Sequence, residues 1–121
     1  MVTKSATYSS GQIQMIRLDY FANTTFVNGT LTIQLPSEIT VTSADSVGPF
    51  GQWRQITVSE ISNNGHTLTF TGLNGNGDFA LQLNSKVIPA KGSYEITVSA
   101  DADGSGNSYL VDSEIVTLIS Q

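Results

Sequence analysis

Apolar side chains recur at every second position along most of this chain, and short runs rich in glycine, asparagine or proline interrupt the pattern. A period of two puts the apolar set on one face of an extended strand, and reversals spaced by roughly 8–12 residues mark a sandwich or barrel. Ile16, Leu18 and Tyr20 alternate within Gln12–Phe21, while Ile13 and Met15 fall on the opposite parity, which predicts a bulge near Met15-Ile16. Asn28-Gly29 stands between Phe26-Val27 and the alternating Thr30–Leu35, the sequence of a two-residue hairpin; Pro36 then ends the strand. Glu38–Thr42 reads as a short strand with Ile39 and Val41 inward, and 43–52 as a loop. A second hairpin is predicted from Arg54–Ile61 and His66–Phe70 about Asn63-Asn64-Gly65, followed by a long turn at 72–77. Phe79–Val87, with a parity switch before Val87, then Tyr94–Val98 and Tyr109–Ile119 complete the strands, with turns at 89–92 and 101–107.

Eight or nine antiparallel-rich strands are thus expected, and no window holds a helical period for more than one turn. The fold class is all-β. The expected core is Ile16, Leu18, Leu31, Ile33, Ile39, Val41, Ile56, Val58, Leu68, Phe70, Phe79, Leu81, Leu83, Tyr94, Ile96, Val98, Val116 and Leu118. A chain of 121 residues suits one domain over 1–121, with the polar residues 1–10 expected as a loosely ordered N-terminal segment.

Charge narrows the function. Only 12% of residues are charged, against roughly 25% in average proteins, so threonine, serine, asparagine and glutamine must wet the surface, as in extracellular β-modules. The net charge of −5 and five scattered cations (Lys4, Arg17, Arg54, Lys86, Lys91) exclude a nucleic-acid partner, which needs a basic patch. Apolar runs fall far short of the roughly 20 residues of a spanning helix, so membrane insertion is not expected. Without cysteine there is neither disulfide nor thiolate chemistry. Met1-Val2-Thr3-Lys4 leads into no apolar segment, which predicts a piece excised from a larger secreted protein, with Met1 added for expression.

The stretches NGTLTIQLPSEITVTS (28–43), NGHTLTFTGLNGNGDFALQL (64–83) and KGSYEITVSADADGSGN (91–107) resemble bacterial and archaeal cell-surface immunoglobulin-like modules of the S-layer, adhesin-stalk or cohesin-like type. The resemblance covers about 10–119 and implies an immunoglobulin-like β-sandwich of Greek-key type. It implies a non-catalytic structural and assembly role outside the cell, as a spacer contacting other surface-protein domains or copies of itself. It carries no functional residues with it. The alternative is a carbohydrate- or receptor-binding module.

Two sets of residues are candidates for a site. Trp53, with Phe50 and Arg54, offers an aromatic plane of the kind that binds sugars, although a tryptophan there can equally cover the end of the core. Asp101, Asp103, Ser105, Asn107 and Asp112, with Gly106 at the turn, follow the oxygen-ligand spacing of an EF-hand calcium loop. Position 12 is aspartate rather than glutamate, and strands rather than helices flank the loop; aspartate, glycine and serine also suit a plain hairpin tip. His66 has no nucleophile elbow to serve, and the ten acids are spread along strands and loops, so no enzyme is expected. Lys4 lies in a polar segment, poor ground for an isopeptide crosslink. The acceptor patterns Asn23-Thr24-Thr25 and Asn28-Gly29-Thr30 mark an exposed edge.

Overall fold

The computed structural model describes residues 2–3, 6–106 and 111–121, with backbone alone at 2–3, 6, 21–24, 77–78 and 111–112. Among the described residues, nine strands run in chain order: β1 Val2–Thr3, β2 Ala6–Tyr8, β3 Ile13–Gln34, β4 Ser46–Pro49, β5 Arg54–Gln55, β6 Ile61–Ser62, β7 Thr67–Val87, β8 Gly92–Asp101 and β9 Val111–Ser120. Two 3-10 turns, Val58–Glu60 and Asn63–Gly65, lie either side of β6.

β3 and β7 make the sandwich. They pair antiparallel along nearly their whole length, from Ile13↔Val87 to Gln34↔Thr67. The ribbon bends where its register shifts, between Ala22 and Leu31 on β3 and opposite 70–77 on β7. Before the bend, the first half of β3 and the second half of β7 form one layer with β1, β4 and β5. After it, the second half of β3 and the first half of β7 form the other layer with β8, β9, β2 and β6. The bend is thus one end of the sandwich, where the 101–106 loop also lies: the Val27 amide donates to the Ala102 carbonyl at 2.9 Å. Ile13, Val87 and the 89–92 turn lie at the other end.

The alternation predicted from sequence fills the core. Ile16, Leu18, Leu31, Ile33, Leu68, Phe70, Phe79, Leu81, Leu83, Ile96, Val98, Val116 and Leu118 are all buried between the layers. Tyr20, Phe26, Val47, Leu73 and Ile88 join them. A bulge does lie opposite Met15, but its extra residue is on β7, where Ser85 has φ 51; β3 itself keeps its alternation, so Ile13 and Met15 face solvent.

Several expectations are corrected. Asn28-Gly29 is no hairpin. Asn28 has φ 52 but Gly29 keeps an ordinary angle, and both flanking runs belong to β3, each paired with β7. Gly29 is required for another reason: a Cβ there would lie 2.8 Å from the Asp101 and Ala102 carbonyls and against the Phe26 ring. The predicted 72–77 turn is likewise the facing half of the bend, inside β7. The predicted loop 43–52 contains a central strand, β4, with Val47 fully buried, whereas Glu38–Thr42 is not a strand even though Ile39 and Val41 are buried. Val58, expected in the core, is 74% exposed because the chain turns at 57–60, where the Glu60 amide donates to the Thr57 carbonyl and the Thr57 amide to Glu60 Oε1. Tyr94 is half-buried, its hydroxyl donating to the Ala90 carbonyl at 2.6 Å.

One buried charge locks the β4–β7 edge. Asp45 is 1% exposed just before β4. Its carboxylate accepts the Thr42 amide at 2.9 Å, the Asn84 amide at 2.8 Å and Lys86 Nζ at 2.8 Å. A buried carboxylate is stable only when so satisfied, and here it receives the amide of Asn84, beside the β7 bulge.

Candidate functional site

The layer β1-β3-β7-β4-β5 turns its outer face to solvent, and on it the register builds a polar row. Arg17 of β3 pairs with Gln82 of β7, Gln82 with Ser46 of β4, and Ser46 with Gln55 of β5. The next row holds Asp19, Ala80 and Gly48. Trp53 lies across Gly48: a Cβ at that glycine would sit 2.7–3.0 Å from the indole atoms Cε2, Cδ2 and Cζ2. The missing side chain is the bed of the ring. Trp53 is 45% exposed, and the Arg17 guanidinium carbon is 5.2 Å from its ring centroid, within cation–π range. Arg17, Ser46, Trp53, Arg54, Gln55 and Gln82 line an open depression of about 530 Å³.

The two arginines differ. Arg54 is held in a fork by Glu60, at 2.8 Å to Oε1 and 2.7 Å to Oε2. The hydrogen bond from Arg54 holds the Glu60 carboxyl below the usual carboxylate range, and the same bond raises Arg54. Arg17 meets Asp19 only at 3.3–3.4 Å.

Of the residues expected to bind, Trp53 and Arg54 come together. Phe50 does not join them: at φ 51 it turns toward the bend, its ring 6.0 Å from Phe26 and 6.4 Å from Phe79. Arg17, Ser46, Gln55 and Gln82 escaped sequence reasoning. Each is an outward position of an alternating strand or loop, but only register places them side by side.

Of the calcium candidates, Asp101 ends β8, and Asp103 and Ser105 lie in the following loop. Asp101 Oδ2 accepts the Gly106 amide at 2.7 Å and Asp103 Oδ1 accepts the Ser105 amide at 2.9 Å. Bonds from Ser105 hold the Asp103 carboxyl below its ordinary range. Asn107 lies outside the described residues, as does Lys4; Asp112 stands in β9 opposite Ala100, with its side chain outside them. Among the described residues, no three histidine, cysteine or acidic side chains gather as a metal site. His66 is structural: its Nδ1 and Nε2 each lie 3.0 Å from a backbone carbonyl, of Asn63 and Ser37. Among the described residues no helix is long and apolar enough to cross a membrane.

These features define an immunoglobulin-like β-sandwich with an open depression beside a half-exposed tryptophan on the outer face of one layer. The profile of the family Biofilm surface layer A (BslA) matches residues 1–118, and the chain belongs to that family. It is 30% identical over 103 residues to biofilm-surface layer protein A of Bacillus subtilis (strain 168), covering 83% of this chain and 55% of that one. The chain therefore spans about half the length of the curated relative it matches. A crystal structure of BslA, described as a bacterial hydrophobin, superposes with a TM-score of 0.69 at 25% identity, covering 99% of this chain and 95% of that chain. The expectation of a bacterial cell-surface immunoglobulin-like module holds, and its place is outside the cell; the family it belongs to is that of biofilm surface layers.

Proposed function

We propose that this chain is a non-catalytic subunit of an extracellular biofilm layer, assembling at a surface with copies of itself. The match to the surface-layer family across 1–118 carries the reading. The solved relative's description as a hydrophobin supports surface activity as its physical basis. Amphiphilicity needs apolar side chains left in water on an otherwise polar surface. The chain has such a group at the end opposite the bend: Ile13 and Val87, 69% and 62% exposed, are register partners, and Met15, 48% exposed, is two residues along β3. Purified protein at an air–water interface should lower surface tension and form a film visible by electron microscopy. Ile13→Ser with Val87→Ser should slow film formation without lowering the melting temperature, since both side chains are exposed. Unchanged surface tension and a strict monomer at high concentration would overturn the reading.

A further inference from the structure

We propose that the outer face around Trp53 binds a pyranose ring of an extracellular polysaccharide. Film formation does not require this: Ile13 and Met15 face outward on β3 with the same parity as Arg17, but they stand toward the Ile13–Val87 end, while Trp53 lies across Gly48. An outward tryptophan needs an explanation, since large aromatics on a solvated sheet face expose apolar area that burial would otherwise remove from water. Here the fold provides for it. Gly48 leaves room for the ring, and small Ala80 stands beside Gly48 in the same row. The polar row Arg17, Gln82, Ser46 and Gln55 runs alongside.

That combination matches a sugar. The C–H face of a pyranose stacks on an aromatic plane, while its equatorial hydroxyls exchange hydrogen bonds with amides, hydroxyls and guanidinium groups at the rim. The depression, about 530 Å³, is within the roughly 300–1,000 Å³ of small-ligand clefts. Charge points the same way. In a chain of net charge −5, the depression's lining includes two of the five cations and no carboxylate. Each arginine has a carboxylate partner outside the lining, but Glu60 holds Arg54 at 2.7–2.8 Å whereas Asp19 meets Arg17 only at 3.3–3.4 Å, so Arg17 is the arginine placed to turn toward a ligand.

The sole tryptophan reports on the site directly. The full chain is titrated with cellohexaose as a neutral probe and with hexagalacturonate as an acidic one, following indole emission. Saturable change with either is expected, and tighter binding of the acidic probe would assign Arg17 to a carboxylate. Trp53→Ala should abolish retention on the immobilised sugar, Trp53→Phe should keep part of it, and Arg17→Ala should weaken it several-fold. Gly48→Ala, which displaces the ring from its bed, should weaken it as well. All variants are checked by melting, and the half-exposed ring makes Trp53→Ala a foldable one. No response to either sugar would overturn the proposal, as would Trp53→Ala binding like the parent. Loss of self-assembly in Trp53→Ala without sugar binding in the parent would make the face a protein contact instead.

Discussion

Replacing Asp45 with asparagine keeps the shape of the side chain and removes its charge. In the parent, three donors converge on this carboxylate, the Thr42 and Asn84 amides and Lys86 Nζ, at 2.8–2.9 Å. An asparagine can offer its one oxygen to the Asn84 amide. Its NH2 group then faces the Thr42 amide and the Lys86 ammonium, donor against donor. The Lys86 side chain is only 16% exposed, so water replaces the lost partner poorly. Breaking a buried pair by removing one partner costs about 3–5 kcal/mol, and most of it should appear here. For a domain of this size that is a fall of roughly 10–20 °C in melting temperature, read by far-ultraviolet circular dichroism. Lys86→Met should cost less, because Asp45 keeps both amides. Asp45→Asn with Lys86→Met should recover part of the loss, since the unpaired ammonium is gone, giving a coupling above about 1 kcal/mol. A loss below about 3 °C in Asp45→Asn, or strict additivity of the cycle, would refute the account of this cluster.

Two further outcomes follow from the surface. Glu60 titrates below its unfolded value because Arg54 donates to it, so the pair stabilises the fold above the ordinary carboxylate range and loses that contribution as pH falls through the lowered value. Glu60→Gln should therefore melt below the parent at neutral pH, with the gap closing in acid; a gap independent of pH would contradict the assignment. Calcium at Asp101, Asp103, Ser105, Asn107 and Asp112 is a proposal resting on the spacing alone, and it requires loop amides now bonded to Asp101 and Asp103 to yield. Binding would stabilise the fold by about 2.7 kcal/mol at a hundredfold excess over Kd, so a melting temperature unmoved by millimolar calcium removes the metal from the account.

Much of the core was legible because burial and alternation are the same fact seen twice. Phe79, Leu81 and Leu83 announce an inward face whatever pairs with them, and they are buried. Val58 misled because Thr57-Val58-Ser59-Glu60 satisfies two patterns at once. It continues the alternation from Ile56, and it is also a capping-box sequence, which here wins and turns the chain. Val47 was hidden in a Ser-Gly-Pro context that reads as loop. Trp53 was grouped with its chain neighbours Phe50 and Arg54, because sequence offers only proximity along the chain; the residues that surround it come from β3, β4, β5 and β7.

The sequence by itself determined the class of the fold, the identity of most core residues and the net charge of −5. Side-chain period and net charge are local sums that need no knowledge of pairing. Only the tertiary structure decided that Asn28-Gly29 bends a long strand instead of closing a hairpin, that a Gly-Pro loop becomes a central strand, and which outward side chains surround Trp53. A two-residue period is satisfied by any even register shift, so the choice of partner and register rests with long-range contacts. Here those are the close approach of the Asp101 and Ala102 carbonyls to Gly29 and the capture of the Asn84 amide by Asp45.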